Sequence, residues 1–109
     1  MTRSRWILAA LAALLAAGPA LAEDRGNAER GLAYAKANCA ECHDVRRNHF
    51  DSPWPESPAF QEIANADGMS RIALYAFLRT PHPTMPNLVI PADDIADLTA
   101  YLISIRKHR

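Results

Sequence analysis

Charge of one sign is missing from this sequence. Its 109 residues hold 12 Lys+Arg against 12 Asp+Glu, a formal net charge of zero. Such a balance carries no nucleic-acid footprint and no one-signed field that would name a partner. Cysteine is nearly absent, with two residues, Cys39 and Cys42. A structural zinc site takes about four ligands and usually a second Cys or His pair, and the chain has no such second pair. No stretch alternates apolar and polar residues in the manner of a strand, and no internal repeat occurs. Without a βαβ pattern, a thioredoxin-like redox motif has no scaffold. Arg3 and Arg5 are not adjacent, so a twin-arginine export signal is not indicated.

What the two cysteines do form is the run Cys39-Ala40-Glu41-Cys42-His43. C-x-x-C-H is the attachment signature of c-type haem. Each thiol can add to a haem vinyl group to give a thioether, while the imidazole of His43 ligates the iron from one side. Two intervening residues let one turn of backbone span the two vinyl positions, and the next residue carries its ring under the iron. A disulfide between Cys39 and Cys42 would leave His43 unexplained.

The first 22 residues read as an export signal. Arg3 and Arg5 make a positive start, Trp6 to Ala17 is rich in Ala and Leu, Gly18-Pro19 breaks it, and Ala20-Leu21-Ala22 is a small-x-small cleavage pattern. A retained anchor needs about 20 continuous apolar residues, which Gly18-Pro19 interrupts. The expectation is Sec-type export to the periplasm, cleavage after Ala22, and one domain over residues 23–109 with no membrane span of its own. Thioether attachment needs an unfolded chain with both thiols reduced, and Sec-type export delivers the chain unfolded. Residues 1–22 take two arginines and no acids with them, leaving a formal charge of −2. The remaining 87 residues lie near the size at which a protein core alone is marginal. A buried haem would supply much of the deficit, so the haem-free chain is expected to be largely unfolded.

Along the domain, Ala28 to Cys42 reads as a helix of good formers, with Asn27 as N-cap. Gly31 inside it costs about 1 kcal/mol relative to Ala; it reads equally as the close approach of another helix or as a tolerated glycine. Asp44 to Ser57 is loop, its prolines excluding a long regular element. Ala59 to Ala66 forms a short helix closed by Asp67-Gly68. Ser70 to Arg79 is a second good helix, apolar over most of its girth and therefore expected to be buried. Thr80 to Asn87 is stiff and extended, with three prolines. A last helix has Pro91 at N1, Asp93 and Asp94 at its positive end, and Arg106, Lys107 and Arg109 at its negative end. Its residues Ile95, Leu98, Leu102 and Ile105 repeat at helical spacing. The fold class is a small all-α domain of three main helices and long loops.

An electron carrier needs a second axial ligand opposite His43. The sulfur candidates are Met69, at a helix start where a core or capping role is natural, and Met85, held outside any helix before Pro86. Met85 is the expected ligand. A neutral thioether favours iron(II) and raises the reduction potential. His82, three residues from Met85, is the nearest rival, ahead of His49 and of an open site.

These residues resemble the class I c-type cytochromes, the small mitochondrial-type monohaem carriers, and especially their short bacterial members. The resemblance covers Gly31 to Arg106. Gly31, eight residues before Cys39, matches the family's N-terminal-helix glycine, and Ala96 to Leu102 looks like its C-terminal helix, whose aromatic packs on that glycine. Ser57-Pro58-Ala59-Phe60 looks like the segment whose proline carbonyl accepts a hydrogen bond from the proximal histidine; the resemblance thus implies Pro58 behind His43. Thr84-Met85-Pro86 stands at the family's distal methionine, and Phe77 where many members carry a haem-pocket aromatic. Two features depart from the pattern. The family's aromatic four residues after the glycine is Ala35 here, with Tyr34 one position earlier. The lysine ring round the haem edge is absent, with Lys36 and Lys107 remaining. Trp54 matches no motif; it is expected to cover the haem or to meet a propionate.

The resemblance implies a monomeric single-electron carrier that is not an enzyme, with one covalent haem c and redox proteins as donor and acceptor. Two competing readings stand beside it: a dedicated electron-accepting subunit of a periplasmic dehydrogenase, and a haem enzyme or gas-binding protein with an open distal site.

Overall fold

The computed structural model describes residues 26–80, 85 and 88–107. The export segment lies outside them, as do His82, Thr84 and Pro86. The described residues form four helices and no strand: α1 (Ala28–Asn38), α2 (Phe60–Asn65), α3 (Arg71–Arg79) and α4 (Ala92–Ile105). The described residues are all-α, and none of these helices is long and apolar enough to cross a membrane.

Helix α1 starts at the expected cap. Asn27 is extended, and its side chain accepts a hydrogen bond from Arg30 N at 2.9 Å, satisfying one of the free amides of the first turn. It stops short of the expected Cys42. Cys39 N still reaches Ala35 O at 2.8 Å, but Cys39 itself leaves the helical region at φ −121°. From there the backbone tightens into a turn, with Cys42 N and His43 N both donating to Cys39 O at 3.3 and 3.0 Å. Helix α4 is also trimmed: Pro91, at ψ 148°, is the cap rather than the first helical residue. Ser70 caps α3, its Oγ accepting from Ala73 N at 3.1 Å. At α2 the Glu62 carboxylate reaches back to Ala59 N at 2.8 Å, half of a capping box that alanine cannot reciprocate.

The close approach at Gly31 is real. A Cβ there would lie 2.1 Å from the Asp97 carbonyl oxygen and 2.9 Å from Tyr101 Cβ, so α1 and α4 meet backbone to backbone at this point. Gly26, at φ +71°, makes a second such contact, with Ala96 O 2.2 Å from its would-be Cβ. The seam is closed by a polar clasp. Buried Asp97 accepts from Asn27 N at 2.7 Å and takes the Arg30 guanidinium at 3.0 and 3.1 Å. The Arg30 hydrogen bond outweighs burial and holds the Asp97 carboxyl below the usual range. A carboxyl depressed in the folded state stabilises fully above its unfolded value of about 3.9 and loses that contribution as the pH falls through the folded value. Acid melts of the protein should therefore lose stability below about pH 4, and an Asp97→Asn variant should show a shallower loss there.

Helix α4 also gathers the loops. Tyr101 Oη donates to the buried Val45 carbonyl. Arg47 Nη2 donates to Ser104 O at 3.0 Å, and Gln61 Nε2 to Ile105 O at 2.8 Å. Arg106 does not serve the negative end of its own helix. Its guanidinium crosses to Met69 O at 2.9 Å and Ala66 O at 3.3 Å, tying down the bend between α2 and α3. Under these bonds Phe60, Ala64, Leu74, Ile95, Leu98, Leu102 and Ile105 form the core.

Helix α3 departs most from expectation. Of its apolar residues Leu74 alone is buried, while Ile72 is 82% exposed. Among the helices α3 packs on α4 alone, so one stripe meets the core and the opposite side meets solvent. There Arg79 stacks over the Tyr75 ring at 5.5 Å.

Candidate functional site

A cleft of about 700 Å³, part of it open to solvent, runs between the turn after α1 and the segment between α3 and α4. Cys39 and His43 line one part of it, and Met85, Leu88 and Ile90 another. Helices α2, α3 and α4 supply the apolar remainder, with Phe60, Leu74, Phe77 and Leu98 prominent. Thr80 brings a hydroxyl to the lining, and that group donates to Ala76 O at 2.7 Å.

The premature end of α1 is what creates the first part. Because the chain turns at Cys39 rather than continuing as helix, His43 is carried round to the cleft. Its Nδ1 lies 2.7 Å from the Pro58 carbonyl oxygen. A carbonyl can only accept, so Nδ1 carries the proton and Nε2 keeps its lone pair for a metal or a donor. Phe60 meets the same ring edge-on, with centroids 5.6 Å apart and planes at 62°. Both thiols are free; Cys39 is buried and Cys42 half-buried beside it. Burial pushes the Cys39 thiol up to about 11.

Cys39, His43, Phe77 and Met85 thus border one cleft. Cys42, half-buried, precedes His43 but is not among the cleft-lining residues, and Pro58 stands behind the histidine. Phe77 is 40% exposed, at the cleft mouth rather than in its depth. Trp54 is not part of the lining; it is mostly exposed, with Nε1 3.4 Å from Glu56 Oε2. His49 is exposed, and Met69 packs on the core outside the cleft. The arginines near the ligand segments have partners: Arg46 pairs with Asp44, and Arg47 with Ser104 O.

Sequence reasoning passed over Asp44. Its carboxylate is 4% exposed and fully engaged. Oδ1 accepts from Arg46 N at 3.2 Å and Arg46 Nε at 3.0 Å; Oδ2 accepts from Arg46 Nη2 at 2.9 Å and Asp51 N at 3.1 Å. The guanidinium hydrogen bonds hold this carboxyl far below the usual range. The available signal was an Asp two residues before a backbone donor in a loop, the Asx-turn spacing.

Among the described residues no three His, Cys, Asp or Glu side chains gather as a metal cluster. The cleft instead offers one imidazole, one thioether sulfur, the Cys39 thiol and apolar walls, with Cys42 next to His43 in the chain but outside the lining. That set can grip a large apolar ligand covalently and contribute one or two donors to a metal whose other positions are already filled. The chain matches no protein-family model, no curated protein and no solved structure.

Proposed function

We propose that this chain is a small c-type cytochrome, holding one haem c by thioethers from Cys39 and Cys42 and passing single electrons between redox proteins in the periplasm. The observation that carries this reading is His43: it ends the C-x-x-C-H run, borders an apolar cleft, and has its Nδ1 proton tied to the Pro58 carbonyl at 2.7 Å. A ligating histidine is typically oriented in this way, its second nitrogen fixed by a carbonyl or carboxylate.

The donor set fits the group. One imidazole and one thioether are too few to hold a bare ion, but they suffice for an iron whose four equatorial positions a porphyrin fills. When bound, the haem supplies an iron centre that cycles between Fe(III) and Fe(II) without making bonds to a substrate. The residues around it do the rest. Pro58 fixes the His43 ring and its tautomer, which leaves Nε2 as the nitrogen that would hold the iron. Met85 supplies a soft, neutral sulfur that favours the reduced state. Phe60, Leu74, Leu98 and Ile90 exclude water, which keeps charge reorganisation small. Phe77 and Leu88, each 40% exposed, stand at the mouth, where an edge of the cofactor would face a partner. The protein would work as a monomer, and no step requires it to act as an enzyme.

Expression with a haem-maturation system, followed by oxidised and reduced spectra with and without CO, tests this. The expected protein retains haem through denaturation, and its ferrous form takes up CO slowly. The oxidised protein should show the weak long-wavelength sulfur-to-iron band, and Met85→Ala should abolish it. Rapid CO binding at neutral pH by the unaltered protein would instead favour an open distal site.

A further inference from the structure

We infer that Asp44 is a positioning residue: its buried carboxylate sets the orientation of the His43 ring and holds the Pro58 carbonyl against Nδ1. The redox consequence rests on the proposed function; the geometry does not.

A carboxylate in a surface loop is normally solvated. This one is withdrawn from water and takes four hydrogen bonds, two from main-chain amides and two from one guanidinium. The Asp44 main chain is equally engaged. Its N–H donates to Ser52 Oγ at 3.0 Å, and its carbonyl accepts from Phe60 N at 2.9 Å. Residues 46, 51, 52 and 60 therefore all converge on the residue that follows His43.

The bond to Phe60 is what links the two sides. Phe60 lies two residues beyond Pro58, and its ring rests edge-on against the His43 imidazole. Asp44 thus joins the segment that carries the histidine to the segment that carries its acceptor. A shift of Asp44 moves the imidazole against the Pro58 carbonyl, and the 2.7 Å bond is the first contact to lengthen. An amide in place of the carboxylate cannot keep the arrangement. It offers one accepting oxygen, and its NH₂ would face the Arg46 guanidinium together with a main-chain amide, that of Arg46 or of Asp51 according to its orientation, all of them donors.

Donation from Nδ1 to a carbonyl makes Nε2 more basic, which favours the oxidised iron. Loosening that bond should therefore raise the reduction potential. In Asp44→Asn the balance between oxidised and reduced protein should move towards reduced by up to about tenfold, about 59 mV for a one-electron couple. The His43 Nδ1–H proton signal of the reduced protein should shift upfield and exchange faster with water. Arg46→Ala is the second variant in case Asp44→Asn fails to fold. Its side chain is about half exposed, its removal leaves the two main-chain donors in place, and the same two changes should appear at smaller size. A lowered melting temperature with the potential and the Nδ1–H signal unmoved in whichever variant folds would overturn the inference, leaving Asp44 a purely structural residue. Should the unaltered chain take up no haem, the proposed function falls. A chain that folds without haem then decides the positioning role through its Nδ1–H signal: loss of the signal in Arg46→Ala supports it, and persistence unchanged in Arg46→Ala overturns it.

Discussion

A chain with Cys39 and Cys42 both replaced by alanine, prepared without haem, is expected to show no cooperative thermal transition. The argument is one of walls without a filling. Phe60, Ile63, Leu74, Leu78, Leu98 and Leu102 turn apolar surface towards the cleft, and with no ligand that surface meets water or void. Apolar surface left facing water forfeits about 25 cal/mol per Å² of burial, and void left beside it forfeits packing as well. A core of this size supplies only about 3–5 kcal/mol in total. Circular dichroism in the near and far ultraviolet, followed through heating, checks this. A sharp transition with native-like near-ultraviolet signal in the haem-free variant would show that the protein core stands by itself.

The second large effect lies at the α1–α4 seam. Gly31→Val in the haem-loaded protein should lower stability by about 3 kcal/mol, the upper part of the range for forced overpacking. The partner of the new side chain is the main chain of Asp97, which cannot rotate away as a flexible side chain would. The helices must separate, and separation stretches the Asp97 bonds to Asn27 and Arg30 as well. For a domain of this size that loss corresponds to a fall in Tm of about 12–24 °C. A helix-propensity effect alone would run the other way, since valine is the better helix former. A Tm unchanged or raised in Gly31→Val would mean that the seam is looser than its geometry implies.

Gly31 illustrates what could be read in advance and what could not. From the residue itself, close approach and a tolerated glycine were equally good; the resemblance implied the first, and the Asp97 carbonyl, which any Cβ at Gly31 would overlap, decides it. Asn27 as cap and Ser70 as the start of α3 were legible because capping is local chemistry. The end of α1 was not. Ala40, Glu41 and Cys42 are acceptable in a helix, and the turn at Cys39 arises from long-range demands: Trp54 N bonds to Cys42 O at 3.2 Å, and Phe60 N to Asp44 O. Helix α3 was misjudged for a related reason. Its composition says that it is apolar, but how many neighbours it has is a matter of topology.

The cleft divides in the same way. Cys39, Cys42 and His43 announce themselves by spacing, and Met85 by its place among prolines. Pro58 came from the resemblance alone, and the bond to His43 Nδ1 is present. Asp44 was invisible, since a loop aspartate beside two arginines looks like ordinary solvated charge until burial shows otherwise.

The bonds that α4 makes also have a consequence in time. Asn27 and Arg30 wait for Asp97, Val45 for Tyr101, Arg47 for Ser104 and Gln61 for Ile105. Every one of these closures spans more than forty positions, and each needs the segment that emerges after all the others. A chain synthesised from its amino end therefore presents Cys39, Cys42 and His43 well before α4 can lock over them. At about 5–20 residues per second, the interval between His43 and Ile105 lasts several seconds. The late arrival of α4 leaves the segment that carries the thiols uncovered during that interval, and its docking afterwards closes over it.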